Sequence, residues 1–171
     1  MVLARQVIET PLGPMAAYAT ADALVMFEFA EGEREATSKE RLLGAISARI
    51  YGGRNEVHEL VEREMAEYFA GALREFTVPL NPVGTEFQKR VWNLLREIPY
   101  GETRTYGEIA QQIGDPNTVR AVGMANGANR LAILIPCHRI IGADGSLTGY
   151  GGGVWRKQRL LEVEQGQVGL F

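Results

Sequence analysis

Short apolar runs dominate the first thirty residues and predict β-structure. The apolar and aromatic runs Met15–Thr20 and Leu24–Phe29 flank a three-residue turn, and an earlier strand is expected near Arg5–Ile8. The segment Thr10–Pro14 contains Pro and Gly and is typical of a turn between the first two strands. This pattern predicts a small antiparallel sheet.

Helical spacing of apolar residues follows the predicted sheet. It favours helices over Lys39–Ile50 and Glu56–Ala70, and His58, in the second of them, is expected at the surface or at a boundary. The extended segment Phe76–Gly84 is broken twice by proline, which disfavours both helix and central strand. We therefore expect an N-terminal α/β domain over residues 1–80 and a C-terminal domain over residues 81–171.

The second half of the chain begins with signals for helix starts. Thr85-x-x-Gln88 and Thr105-x-x-Glu108 are capping boxes, and the second opens a predicted short helix over Tyr106–Ile113. Asp115 as N-cap and Pro116 at the first helical position start another helix, which runs to about residue 127. Two short helices joined by a Gly-containing turn have the form of a helix-turn-helix, although many such hairpins bind no DNA.

The helix after Pro116 has unusually small residues. Ala121, Gly123 and Ala125 surround one long cation, Arg120, and glycine inside a helix costs about 1 kcal/mol relative to alanine. A helix with small residues on its surface can approach another body closely. Both a neighbouring helix and a narrow DNA groove fit this pattern, and helix packing is the more common cause.

Composition limits the class of protein without deciding it. Of 171 residues, 46% are apolar and 23% are charged, which is typical of a globular protein and excludes disordered, collagen-like and coiled-coil chains. We expect a cytoplasmic location, because the chain has a single cysteine, no apolar run of membrane-spanning length and no signal-peptide pattern. One cysteine and two histidines also favour neither a disulfide nor a metal site.

The net charge of −3 is divided unevenly. Residues 1–84 have 8 Lys/Arg against 13 Asp/Glu, a net charge of −5, whereas residues 85–171 have 10 against 8, a net charge of +2. A surface that binds a polyanion would therefore lie on the second half, although small imbalances of this kind are common.

The apolar run Ile133–Ile141 contains the most informative residues, Pro136-Cys137-His138-Arg139. The pattern predicts a short strand that carries Cys137. A cysteine beside a histidine can be a nucleophile with its base, or else a small buried residue beside a hydrogen-bonded neighbour. Neighbours on a strand point to opposite faces, so direct contact between the two would need a bend or a bridging water.

The last predicted helix, Trp155–Gln165, ends with a carboxylate. Glu164 lies where the helix dipole disfavours an anion, so either a charged partner such as His138 compensates or the carboxylate is solvated. Before this helix, several glycines surround Tyr150 in a loop that could fold over a planar ligand. The loop lacks the strand and helix context of a phosphate-binding glycine motif.

These residues fall in a series of motifs that closely resembles the O6-alkylguanine-DNA alkyltransferases, also called methylated-DNA–protein-cysteine methyltransferases. The resemblance covers essentially the whole chain and is strongest over residues 85–169. The motifs are Gly-Thr-x-Phe-Gln at 84–88, Ile-Pro-Tyr-Gly-Glu-Thr at 98–103, Tyr-Gly-Glu-Ile-Ala at 106–110, Arg-Ala-Val-Gly at 120–123, Asn129, Ile-Pro-Cys-His-Arg-Ile at 135–140 and Gly-Tyr-x-Gly-Gly at 149–153.

The resemblance implies an α/β (α+β) protein with a small sheet domain and a mostly helical DNA-binding domain. It also implies a suicide methyltransferase that flips O6-alkylguanine, and O4-alkylthymine as well, out of duplex DNA. Cys137 would accept the alkyl group, His138 would act as base through a water, and Glu164 would orient His138. Asn129 would be the hinge before the reactive segment, and Tyr106 would promote rotation of the nucleotide and donate a hydrogen bond to the base.

The resemblance further implies how DNA is bound. Arg120 would fill the space left by the flipped base, while Ala121, Gly123 and Ala125 would lie in the minor groove, which is only about 6 Å wide. The pocket walls would come from Asn126, Ile140, Tyr150 and Gly151. The expected partner is duplex DNA that contains O6-alkylguanine, bound by a monomer that can load cooperatively, with no membrane, cofactor or metal.

Two positions depart from the family pattern. Gly151 stands where some relatives have serine, so only its backbone could assist the leaving oxygen. Arg130 stands where many have proline, so the hinge turn would be less rigid.

Two other functions remain as alternatives, a cysteine hydrolase and a protein that binds alkylated DNA without chemistry. The alkyltransferase-like proteins of the second kind lack the cysteine, and this chain has Cys137.

Overall fold

The computed structural model describes residues 1–167 and divides the chain into two compact units, Met1–Val83 and Gly84 onward. Within the described residues, no helix is long and apolar enough to cross a lipid bilayer. The mixture of a small sheet with several helices confirms the expected α/β (α+β) fold class.

The first unit is built on a four-stranded sheet in the order β3-β2-β1-β4. Strands β1 (Val2–Thr10), β2 (Gly13–Ala19) and β3 (Leu24–Phe29) form the antiparallel part that the apolar runs predict. Strand β4 (Arg49–Gly52) lies parallel to β1 at the edge, with Leu3 opposite Ile50. The three strands that the sequence predicts are antiparallel as expected, and β4 adds a parallel edge that the sequence analysis did not predict.

Two helices accompany this sheet, α1 (Arg34–Ala45) and α2 (Glu56–Phe69). The range predicted for the first one extended too far, because the backbone becomes extended at Ile46 and the following residues pair with β1. Sheet pairing here outweighs the helical spacing of the apolar residues. The core includes Leu3, Ala16, Tyr18, Val25, Met26 and Leu42.

His58 corrects another expectation, because it is fully buried rather than at a surface. Its Nδ1 accepts the Asn55 N–H at the start of α2 (3.1 Å), and its Nε2 lies 3.1 Å from the Ala4 carbonyl and 3.2 Å from the Ala17 carbonyl. The imidazole thus joins the helix to strands β1 and β2, and its role is structural.

The second unit is mostly helical. Its elements are α3 (Glu86–Arg96), β5 (Arg104–Thr105), α4 (Tyr106–Ile113), α5 (Val119–Gly127), β6 (Ile140–Ile141) and α6 (Val154–Glu164). The short strands β5 and β6 pair in parallel. A single 3-10 turn over Pro116–Thr118 precedes α5, so the helix that the sequence predicts from Pro116 becomes α-helical only at Val119.

The predicted capping residues explain where these helices begin and end. Thr85 and Gln88 exchange both capping-box hydrogen bonds before α3, and the Thr105 hydroxyl accepts the Glu108 N–H before α4 (3.1 Å). Helix α4 ends at Gly114, whose φ of +101° suits glycine. The Trp92 indole of α3 then donates to the Ala125 carbonyl of α5 (2.8 Å), which ties the two helices together.

Candidate active site

The segment between α5 and β6 is held by Asn129. The Asn129 amide oxygen accepts the Leu131 N–H (2.9 Å), and its amide nitrogen donates to the Ile135 carbonyl (2.9 Å). This side chain is 3% exposed, so it substitutes for a backbone partner inside the protein. Asn129 thereby fixes the turn that comes immediately before Cys137.

Two very tight turns shape this segment. The Leu134 N–H donates to the Ala132 carbonyl (2.8 Å) around Ile133, and the Cys137 N–H donates to the Ile135 carbonyl (2.8 Å) around Pro136. Pro136, at φ −80° and ψ 64°, has the geometry of an inverse γ-turn. Ile133 has a φ of +70°, a strained value for a β-branched residue.

The structure places Cys137 in a turn and not in the predicted strand. It begins a single 3-10 turn, Cys137–Arg139, and only Ile140–Ile141 form a strand after it. A run of apolar residues indicates burial, and residues 133–140 are indeed buried, but burial alone cannot distinguish a strand from a compact turn. Cys137 retains 6% exposure.

His138 and Glu164 form a buried pair. Of the two alternatives for Glu164, a charged partner or a solvated carboxylate, the structure therefore shows the first. His138 Nε2 lies 2.6 Å from Glu164 Oε2, and both side chains have no exposed surface. Burial lowers the pKa of His138 against the raising effect of Glu164, and Arg139 and Lys157 lower it further. The neutral imidazole then donates from Nε2 to the carboxylate. Its Nδ1, which has no hydrogen-bond partner among residues 1–167, is left as an acceptor.

Arg139 fixes the other side of the same carboxylate. Its Nε lies 2.7 Å and its Nη2 3.1 Å from the two Glu164 oxygens, and its Nη1 donates to the Ile98 carbonyl (2.7 Å). Burial alone would raise the pKa of Glu164, but His138 and Arg139 together hold it well below its usual range. Glu164 therefore stays ionised and orients the imidazole.

Tyr106, at the start of α4, lies between α5 and the loop before α6. Its hydroxyl donates to the Thr148 carbonyl (3.3 Å), and its ring is so close to α5 that a Cβ added at Gly123 would lie 3.8 Å from it. The predicted site residues Tyr150 and Gly151 follow in the same loop, where Tyr150 is partly buried and Gly151 is exposed.

The predicted DNA-contact residues of α5 divide into two groups. Arg120 and Ala121 are exposed and Gly123 is partly exposed, whereas Ala125 is only 2% exposed. The expectation that Ala125 lies against DNA is wrong, since its side chain faces the interior, where α5 packs on α3. Its helical position, three residues after the buried Val122, was the available signal.

Two predicted pocket residues are interior. Asn126 is 5% exposed and Ile140 is fully buried, and the Asn126 amide oxygen has no hydrogen-bond partner among the described residues.

The structure brings several of the predicted site residues together. His138 contacts Glu164 directly, Asn129 is bonded to the reactive turn, and Tyr106 is bonded to the loop that contains Tyr150 and Gly151. Among residues 1–167, no group of three or more His, Cys, Asp or Glu could hold a metal ion.

Arg139 and Lys157 are site residues that sequence reasoning missed. Lys157 is one of three basic residues in the first turns of α6, with Arg156 and Arg159. It is fully buried and donates from Nζ to the Thr148 carbonyl (3.0 Å). Its position three residues before Leu160 and seven before Glu164 places it on the buried side of the helix, and this spacing could have identified it.

Comparisons with known proteins agree with this geometry. Residues 86–166 match the family model of the 6-O-methylguanine DNA methyltransferase DNA-binding domain. The chain is 45% identical over 158 residues to the methylated-DNA–protein-cysteine methyltransferase of Methanosarcina acetivorans, which covers 92% of this chain and 96% of that one.

Solved structures give the same result. The crystal structure of Mycobacterium tuberculosis OGT in complex with DNA aligns with a TM-score of 0.80 at 42% identity, over 98% of this chain and 94% of that one. The O6-methylguanine-DNA methyltransferase of Pyrococcus kodakaraensis shares the fold, with a TM-score of 0.66 at 24% identity over 95% and 98% of the two chains. The chain belongs to the methylated-DNA–protein-cysteine methyltransferase family, which confirms the expected family.

Proposed function

We propose that this protein repairs duplex DNA by transferring the alkyl group of O6-alkylguanine irreversibly to its own Cys137, once per molecule. O4-alkylthymine is proposed as a second substrate. The observation that carries the proposal is the buried hydrogen bond between His138 and Glu164, beside the only cysteine of a chain that belongs to this family.

A proton path from the thiol follows from the state of His138. Because Glu164 is ionised and accepts the hydrogen bond that Nε2–H donates, Nδ1 has a lone pair to receive a proton. A water between Cys137 and Nδ1 carries the thiol proton to the imidazole, which becomes an imidazolium that Glu164 stabilises. The result is a thiolate, the reactive form of cysteine.

The thiolate then attacks the alkyl carbon attached to O6 of guanine. A sulfur–carbon bond forms as the carbon–oxygen bond breaks, and the electron pair of the broken bond stays on the guanine. The guanine takes up one proton, which balances the proton passed from the thiol to His138, and is restored as the normal base within the DNA. Tyr106 donates a hydrogen bond that stabilises its developing charge. The thioether on Cys137 is stable, so the protein acts once.

The second unit is proposed as the DNA-binding and alkyl-acceptor part. Helices α4 and α5 form the helix-turn-helix, and α5 enters the minor groove with Arg120, Ala121 and Gly123 on its accessible side. Flipping a base costs a few kcal/mol of stacking and pairing, and Arg120 offsets this by occupying the space that the base leaves. Asn126, Ile140, Tyr150 and Gly151 are proposed as walls of the base pocket.

The central test is the stoichiometry of transfer. After incubation with duplex DNA containing O6-methylguanine, mass spectrometry is expected to find one added methyl group per molecule, on Cys137. Cys137→Ser is expected to be inert. Restored DNA with an unmodified Cys137 would refute the proposal, and more than one product per protein molecule would favour the cysteine hydrolase.

Arg120→Ala tests the flipping step separately. The variant is expected to react with free O6-benzylguanine within about threefold of the parent, yet to lose at least about tenfold in repair of duplex DNA, because the flipped state loses a few kcal/mol of support. Arg96→Ala, at an exposed arginine at the end of α3, is the control. Equal losses on both substrates would contradict the proposed role of Arg120.

A further inference from the structure

Helix α5 carries one large apolar side chain on its exposed face. Met124 is 75% exposed, the greatest exposure of any large apolar residue in the part of the chain that the structure describes. An isolated apolar residue on a protein surface is common and needs no explanation by itself. The neighbours of Met124 on the helix are what distinguish it.

These neighbours are small, apart from one cation. The positions three and four residues from Met124 are Arg120 and Ala121 on one side, and Gly127 and Ala128 on the other. Arg120, Ala121 and Gly127 are exposed as well, whereas the opposite side of the helix packs on α3. Three of the four neighbours are too small to cover Met124, so its side chain projects beyond them.

This arrangement suits the minor groove of DNA. Ala121 and Gly127 let the backbone of α5 approach a groove that is only about 6 Å wide. Proteins that bind the minor groove often insert an apolar side chain, methionine included, between neighbouring base pairs, which unstacks them and kinks the duplex. A methionine side chain is unbranched and flexible, so it adapts to the irregular gap that forms.

The spacing from Arg120 places this apolar side chain beside the flipped nucleotide. The two residues are four positions apart, about 6 Å along the helix axis, and successive bases of a DNA strand are about 3.4 Å apart. With Arg120 in the space that the flipped base leaves, Met124 reaches a base step within about two base pairs of it. Both residues lie in the half of the chain that has the positive net charge and matches a DNA-binding domain.

We propose that Met124 is an apolar wedge, which enters the minor groove one helical turn from Arg120 and holds a base step beside the flipped nucleotide unstacked. Unstacking this step lowers the remaining cost of rotating the damaged nucleotide out of the duplex. The inference rests on the proposed function, which takes α5 as the helix in the groove. Met124 is a positioning residue, because it acts through the duplex and not on the transferred group.

The first test separates an apolar contact from an ionic one by its salt dependence. Binding is measured on duplex DNA containing O6-methylguanine, in the Cys137→Ser background so that the lesion persists. Met124→Ala is expected to lower the affinity at least about fivefold at every salt concentration, because apolar contact is lost but counterion release is not. Arg120→Ala is expected to reduce the slope of log affinity against log salt by up to about one, because it removes a charge.

The second test detects the unstacked step. The fluorescent base 2-aminopurine brightens when it loses stacking, and it is placed two base pairs from the lesion on either side, because a base directly beside the lesion is exposed by flipping alone. On DNA saturated with protein, the protein with Met124 is expected to brighten the probe on one side. Met124→Ala is expected to brighten it at most about half as much.

Two further variants provide rescue and control. Met124→Leu keeps a long apolar side chain, so it is expected to retain the affinity and the fluorescence within about twofold. Leu43→Ala shortens an exposed apolar residue of α1, in the other unit, and is the matched control, expected to bind DNA as the parent does. Because Met124 is mostly exposed, urea unfolding is expected to give Met124→Ala the stability of the parent, which separates a change in binding from a change in folding.

The outcomes distinguish this inference from the proposed function. Unchanged affinity in Met124→Ala, an equal loss in Met124→Leu, or a reduced salt slope in Met124→Ala overturns the apolar wedge. Lower affinity with undiminished fluorescence overturns it as well, because the contact would then leave the base step stacked. A protein with Cys137 that is never alkylated refutes the proposed function, and the affinity, salt and fluorescence results still decide the role of Met124.

Discussion

Each unit buries one glutamate beside an arginine, and the two carboxylates behave in opposite ways. In the first unit, Glu28 is 1% exposed, lies 3.1 Å from Arg34 Nε, and accepts from the Ser38 hydroxyl (3.0 Å) and the Phe29 N–H (3.2 Å). Burial raises the pKa of Glu28 in spite of these partners. In the second unit, the pKa of Glu164 is lowered.

The difference comes from the quality of the charged contacts. Glu164 has two bonds of 2.6–2.7 Å, one to His138 and one to Arg139, and a second arm of the same guanidinium at 3.1 Å. A bidentate arginine stabilises an anion more than a single longer contact does. Burial next to an arginine is therefore not enough to lower the pKa of a carboxyl group, and the site with the closer charged donors is the one at the nucleophile.

The largest expected difference between substitutions of Glu164 and Glu28 is in the rate of alkyl transfer. Glu164→Gln removes the anion that stabilises the His138 imidazolium, so alkyl transfer to Cys137 is expected to slow by roughly 10²–10⁴, the usual contribution of general base catalysis. Glu28→Gln is expected to react within about twofold of the parent. Single-turnover rates on O6-methylguanine duplex DNA measure both, and similar rates for the two variants would contradict the comparison.

The free energy of unfolding is the second property in which substitutions of Glu164 and Glu28 are expected to differ. Glu164→Gln leaves the buried Arg139 without its anion and is expected to cost about 3–5 kcal/mol of the free energy of unfolding. Glu28→Gln is expected to cost about 1 kcal/mol or less, because the raised pKa of Glu28 means that its charged form is stabilised less than that of Glu164. Urea unfolding followed by circular dichroism gives both values. The comparison fails if Glu28→Gln is the more destabilising change.

The pH dependence of the free energy of unfolding is the smallest expected effect, and it has opposite signs for Glu164 and Glu28. The lowered pKa of Glu164 means that its contribution is complete above the ordinary value of 4.5 and is lost as the pH falls below it. The raised pKa of Glu28 means that the folded state takes up a proton first, so this group adds stability as the pH falls toward 4.5.

Each group accounts for at most about 1.4 kcal/mol per pH unit. Urea unfolding between pH 7 and 4 is therefore expected to show that Glu28→Gln loses the gain seen on acidification. Unfolding below pH 4.5 is expected to show a smaller loss for Glu164→Gln than for the parent. Parallel curves for the parent and both variants would contradict the assigned directions.

Much of this fold follows from local sequence signals. Helix α3 begins where Thr85 and Gln88 predict it, and α4 ends at Gly114, because side-chain caps and glycine act within a few residues of the chain. The pairing of His138 with Glu164 could be suggested from the helix dipole alone. The geometry of this pair, and the additional hydrogen bonds from Arg139 to Glu164, depend on residues 25 or 26 positions apart that come together only in the fold.

Other features depend on long-range packing and could not be predicted locally. Strand β4 forms because an edge of the sheet is available at β1, although its first two residues, Arg49 and Ile50, end a segment with helical spacing. Helical spacing indicates that Lys157 lies on the buried side of α6, but it does not show that the Thr148 carbonyl accepts its ammonium. His58 is buried because the carbonyls of Ala4 and Ala17 lie within reach, and a one-dimensional pattern contains no such information. Ala125 and Cys137 were misplaced for the same kind of reason, since small and apolar residues fit several environments.

The left-handed backbone at Ile133 determines how the protein responds after it has acted. The tight turn at Ile133 and the hydrogen bond from Asn129 to the Ile135 carbonyl fix the backbone just before Cys137, so we expect this segment to move little when Cys137 is alkylated. Any atoms added to the sulfur must displace neighbouring side chains instead, and overfilling a close-packed interior is destabilising. The alkylated protein is therefore expected to be less stable than the fresh protein, and an unchanged melting temperature after alkylation would contradict this.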